Sequence, residues 1–196
     1  MSQIKLRYHF EIRDTKTGKL IKKTRKRLCR SFLINFMKSL ELFMGHIYDQ
    51  DSYIVYMVDT GGTERSIFGS QSYGDRFFVA CALSGDSQVG IVVGTGATAV
   101  TTSDNALDTQ IAHGGGSGQL NYGASSCNGA VDSGVGCTMT FTRDFGNASG
   151  DTITIREIGI VVRHSGYYCL ISRDIVTQAV ANGNTATAVI EISTEL

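Results

Sequence analysis

From Ile4 to Ile12 the chain alternates. Ile4, Leu6, Tyr8, Phe10 and Ile12 are apolar, and Lys5, Arg7, His9 and Glu11 stand between them. A period of two places one row on a core and the other in water, so the spacing predicts a half-buried strand. Residues 14–18 (DTKTG) supply a turn and 20–27 return, which predicts an N-terminal hairpin with a cationic outer face. The period then lengthens. Phe32, Leu33, Phe36, Met37, Leu40, Phe43 and Met44 recur at helical spacing, with Ser31 as N-cap and Gly45 to end the run, predicting a helix over 31–45 that plugs the flank of a sheet.

Beyond residue 50, short apolar runs separated by glycine, serine and asparagine predict strands at 53–58, 76–83, 89–93, 138–143, 152–156, 158–162, 167–172 and 186–192. Residues 103–111 read as one helical turn capped by Ser103, and the density of glycine between 112 and 136 predicts a long surface loop. The expected fold is all-β, mainly an antiparallel β-sandwich or jelly-roll-like arrangement, with one N-terminal amphipathic helix. No linker divides the chain, so 1–196 reads as a single domain: a basic arm over 1–30, the helix over 31–45, and a sandwich over 50–196 that includes the glycine-rich loop 112–136.

Composition adds two things to that picture. With 23 glycines and no proline among 196 residues, turns are made by glycine. The formal net charge of zero hides a split: residues 1–30 hold eleven basic and two acidic side chains, and the rest hold seven basic and sixteen acidic, so an arm of +9 precedes a body of −9. Such an arm attracts a polyanion or the acidic body of a neighbouring copy. Five cysteines without a C-x-x-C pair suit reduced thiols in a cytoplasm, with a Cys127–Cys137 bridge left open. The first residues lack the apolar core of a signal peptide, and no apolar run approaches the ~20 residues of a membrane helix.

Several short patterns suggest chemistry, and each has a plainer account. Val58-Asp59-Thr60-Gly61 resembles the way an aspartic protease presents its carboxylate, which would require a homodimer sharing one proton; Gly62 and the polar residues after it suit a turn better. Gly94-x-Gly96-x-x-Ala99 follows a strand as a dinucleotide fingerprint does, but β-branched residues replace the helix that motif needs. Asp104 and Asp108 are four apart, a spacing that suits calcium less well than a solvated surface. Ser117 falls one position short of a nucleophile elbow, and the histidines at 9, 46, 113 and 164 are dispersed. Asn147-Ala148-Ser149 is a formal sequon that marks a turn. No catalytic residue, cofactor or metal ligand is expected. The run Lys22-Lys23-Thr24-Arg25-Lys26-Arg27, with Arg30 beyond it, suits phosphate contact, a solvated edge strand that deters aggregation, or contact with an acidic subunit.

Three stretches taken together resemble a type of virion protein encoded by tailed bacteriophages: 92–125 (VVGTGATAVTTSDNALDTQIAHGGGSGQLNYGAS), 141–162 (FTRDFGNASGDTITIREIGIVV) and 170–193 (LISRDIVTQAVANGNTATAVIEIS). The insert from Cys127 to Cys137 departs from the pattern. The resemblance implies a non-enzymatic particle component, either capsid-associated (cement, decoration or minor capsid) or part of a neck or tail, assembled in the host cytoplasm from copies of itself and other virion proteins. Besides the basic run, Tyr53, Tyr56, Tyr122, Tyr167 and Tyr168 are the expected partner contacts, because tyrosine anchors interfaces. Non-specific nucleic-acid contact through the arm is a further expectation; membrane or small-molecule binding is not.

Overall fold

The opening alternation becomes the interior of a sheet. A computed structural model describes residues 3–29, 31–43, 54–68, 79–132, 134, 136–164 and 166–195. Strand β1 (Gln3–Asp14) pairs along its whole length with β11 (Asn184–Glu195), which pairs with β8 (Cys137–Gly146) and through it with β7 (Asn121–Asp132). On the other side β1 meets β2 (Leu20–Lys23) and β3 (Arg27–Cys29), which together form one edge of this six-stranded antiparallel sheet. A second sheet runs in the order β10 (Tyr167–Val180), β9 (Ile153–His164), β6 (Gly90–Gly94), and β4 (Ile54–Val58) with β5 (Glu64–Phe68) makes a separate hairpin.

One apolar cluster joins the two larger sheets. Leu6, Tyr8, Phe10, Phe145, Ala188 and Ile190 of the first bury against Ile91, Val93, Ile158 and Ile160 of the second. The fold is thus all-β and sandwich-like, as the alternation predicts. Tyr122 bridges the layers: its hydroxyl donates to the Ile111 carbonyl at 2.7 Å, with the Val93 carbonyl 3.2 Å away, and its ring meets Phe145 edge-on at 4.9 Å.

The helix α1 (Ile34–Phe43) starts two residues later than an N-cap at Ser31 would dictate. Phe32 forms a bridge with Ser172 and the Leu33 N–H donates to the Ile171 carbonyl, so residues 32–33 are spent extending the edge of β10 before the helix begins. The expected end at Gly45 lies outside the described residues. Asn35, buried at the start of α1, donates to the carbonyls of Val58 and Leu170 and accepts from the Val58 N–H, tying helix, hairpin and second sheet together.

Four other expectations are corrected. The strands expected at 152–156 and 158–162 are one, β9, because Glu157 between them is buried and not a break. Half of the expected glycine-rich loop is β7, whose register slips around Gly123 and Gly129, so those glycines sit in bulges where a missing side chain costs little. Residues 103–111 are not helical: the Asp104 carboxylate accepts from both the N–H and the hydroxyl of Thr101, and Gln110 bridges Gly94. Of the run expected at 76–83, the described part makes one bridge, Val79 with Arg163, and then becomes a loop.

That loop is fastened by two devices. Arg143, 1% exposed, donates Nε to the Gly123 carbonyl at 2.9 Å, Nη1 to Val89 and Ile91 at 2.8 and 3.1 Å, and Nη2 to Leu83 and Asp86. Its guanidinium also lies 4.8 Å from the centre of the Tyr122 ring, an arrangement that adds cation–π attraction. In addition, Cys81 is disulfide-bonded to Cys127, so the pairing differs from the Cys127–Cys137 bridge considered from sequence; Cys137 is a free, exposed thiol. Sequence distance misled here, because β7 brings Cys127 against the loop before β6 while Cys137 opens the next strand.

Candidate interaction surface

The basic run forms the edge of the large sheet. Directly opposed residues of an antiparallel pair share a face. Lys23 lies opposite outward-facing Glu11, and Lys22 and Arg27 lie opposite core-facing Ile12 and Tyr8. Between β2 and β3 the pairing breaks over 24–26, where the Thr24 hydroxyl accepts from the Phe10 N–H at 2.8 Å and its own N–H donates to the Phe10 carbonyl.

This register divides the cations into two sets. On the outer face Lys23 meets Glu11 at 2.7 Å, Arg13 meets the same carboxylate at 2.8 Å, and Lys26 reaches Glu191 of β11 at 2.7 Å. His9 is thereby roofed and buried; burial first, and then Lys23, push its pKa below the usual value, while Glu11 is held low by its bonds from Lys23 and Arg13. Lys22, Arg25 and Arg27, together with Lys23, Thr24 and Lys26 between them, border a groove of about 480 Å³ that reaches Tyr8, Phe10 and Val176. The Tyr8 hydroxyl has a pKa raised chiefly by burial and next by Asp174, with the charge of Arg27 opposing the rise. Lys22 and Arg25 make no ion pair among the described residues.

The far wall of the groove is β10, an edge strand of the second sheet. Its upper part is covered by Leu33 and by Thr60, whose N–H donates to the Tyr168 carbonyl. Lower down the register with β9 slips between Ile175 and Gln178, leaving Val176 and Thr177 without partners there. The groove therefore lies where both sheets end.

The other expected sites turn inward. Asp59 closes the β4–β5 turn: Oδ1 accepts from the N–H groups of Gly61 and Thr63, and Oδ2 sits 2.6 Å from Arg65 Nε, so the carboxyl is held below its ordinary pKa by the Thr63 N–H first and Arg65 next. The Gly94–Gly96 pattern does receive an anion, but the anion is the chain's own. Glu157, wholly buried, accepts from Gly96 N–H at 3.1 Å and Thr109 N–H at 2.7 Å on Oε1, and from Asp108 N–H at 3.0 Å and Arg173 Nε at 2.9 Å on Oε2. A Cβ on Gly94 would lie 2.3 Å from Glu157 Oε1, so both glycine and carboxylate are required there. Arg173 continues to Asp104 at 2.7 Å, which engages the carboxylate that sequence offered to calcium.

Asn147 is likewise buried, donating to Asp151 and Val180 carbonyls and accepting from Ser149. Among the expected contact tyrosines, Tyr56 is exposed, Tyr167 and Tyr168 are half-buried with Arg65 over the Tyr167 ring, and Tyr122 is 1% exposed and belongs to the core instead. Tyr53 and Arg30 lie outside the described residues.

The buried charges could have been found from sequence. Arg143 alternates with Phe141 and Phe145, and Glu157 with Ile155 and Gly159, so each charge sits on an apolar row. Among the described residues no group of three or more His, Cys, Asp or Glu could hold a metal, and no helix is long and apolar enough to cross a membrane. Comparison with family models, curated proteins and solved structures gives no match for the chain.

Proposed function

We propose that this chain is a structural component of a virus particle, capsid-associated, that works through protein–protein interfaces. The observation that carries the reading is the built-in division of charge. The cations form a defined sheet edge, two of them exposed and unpaired among the described residues, on a molecule whose remainder is strongly acidic. Opposed charge of this kind steers and orients assembly. The resemblance of 92–125, 141–162 and 170–193 to tailed-phage virion proteins supports the same reading, and it fits a neck or tail position as well as a capsid one.

The carboxylate of Asp59 is saturated by its own turn and by Arg65, an arrangement that favours a structural role over the shared proton of an aspartic protease. The test is association with purified particles, followed by mass spectrometry of the intact assembly. Salt-sensitive, stoichiometric binding is expected. A chain that stays monomeric at high concentration and ignores particles ends the proposal.

A further inference from the structure

We infer that the groove between β2–β3 and β10 is a docking site for an extended acidic segment of a partner protein, which adds to the edge of β10 as a strand. The inference rests on the reading above that the chain acts through other proteins, and it specifies what such a partner must present.

Three observations converge on this occupant. Among the described residues the backbone of Val176 and Thr177 bonds to no neighbouring segment, because the strand is slipped from β9 there, while beside them the Ile175 N–H donates to Asp174 and the Ala179 carbonyl accepts from the Gln178 side chain. An open edge with unpaired N–H and C=O groups is a template for one more strand. Facing it across the groove stand Lys22, Arg25 and Arg27, with Lys23, Thr24 and Lys26 along the same rim, and the largely buried side chains of Tyr8, Phe10 and Val176 lie beneath. An extended peptide directs alternate side chains to opposite sides, so acidic residues at every second position reach the cationic rim while the residues between them cover Tyr8, Phe10 and Val176. A nucleic acid would use the cations but neither the strand edge nor the side chains beneath. Lys23 and Lys26 line the same groove, but their ammonium groups are engaged by Glu11 and Glu191.

The test uses the full chain and a short capped peptide alternating aspartate and valine, titrated by fluorescence anisotropy. Comparison probes replace its aspartates by lysine, collect the aspartates into one block, or substitute single-stranded oligothymidylate. Binding of the alternating peptide is expected to weaken about tenfold or more in the double variant Lys22→Gln, Arg25→Gln, both exposed positions where folding is undisturbed. It should also slow hydrogen exchange at the amides of Val176 and Thr177, which charge attraction alone would leave unchanged. The inference is overturned if the peptide does not bind, if the block peptide or oligothymidylate binds as tightly, or if binding leaves those amides unprotected. A dimer of this chain that the double variant dissolves would also overturn it, since a second copy would then hold the groove. Particle association that persists without peptide binding sinks this inference alone; peptide binding without particle association sinks the virion reading alone.

Discussion

Arg143 and Arg173 lie inside the molecule with nearly every donor matched, whereas Lys22 and Arg25 lie at its edge with no partner among the described residues. The same kind of charge does opposite work in the two places. Inside, a guanidinium forks among fixed carbonyls and carboxylates and thereby sets which loop lies on which sheet, because an unmatched buried group costs far more than a matched one contributes. At the edge, charge adds little to the fold and remains available to another molecule.

The comparison can be broken in order of size. Replacing Arg143 by methionine leaves the carbonyls of Gly123, Val89, Ile91 and Asp86 without their donor, and should lower stability by about 3–5 kcal/mol in urea unfolding. Glu157→Gln keeps the shape but turns one acceptor into a donor facing N–H groups and Arg173, and about 2–4 kcal/mol should be lost by the same measurement. Gly94→Ala forces a methyl into the space of that carboxylate and of the Thr109 carbonyl, and the melting temperature should fall in step with about 1–3 kcal/mol.

His9 tests the boundary between the two regions. Its pKa is lowered on folding, so the unfolded chain binds more protons just below the ordinary value of 6.5, and stability should begin to fall as the pH drops through that value. Glu11, Asp59 and Asp104 have lowered carboxyl pKa values, so their contribution is complete above the ordinary carboxylate range and is lost only in stronger acid. His9→Gln should remove the first phase of an acid titration and leave the second; an unchanged profile would show that the lysine roof does not desolvate the ring. The smallest effect belongs to the edge: Lys22→Gln with Arg25→Gln should change stability by less than about 0.5 kcal/mol, and a larger loss would mean these cations hold the fold after all.

What sequence shows and hides follows the same division. The rows Leu6-Tyr8-Phe10-Ile12 and Ile158-Ile160-Val162 announce their strands because burial and period agree. Strand β7 escapes notice because Tyr122 is its sole fully buried side chain; serine, asparagine and glycine hold it by backbone pairing to β8, which composition does not record. The groove was half visible. Its cations stand together in the chain, but its far wall, Val176 and Thr177, arrives from about 150 residues away, and only the slip in β10 opens it. Arg143 and Glu157 were legible as charges on apolar rows, and their partners were not, since these are mostly main-chain groups whose positions depend on the finished fold.

The bond between Cys81 and Cys127 encloses β6 and the loops on either side of it within one covalent ring. A protease that nicks the chain at any single site between those two cysteines therefore releases nothing: the pieces travel together under denaturing conditions and separate only when a thiol reductant is added.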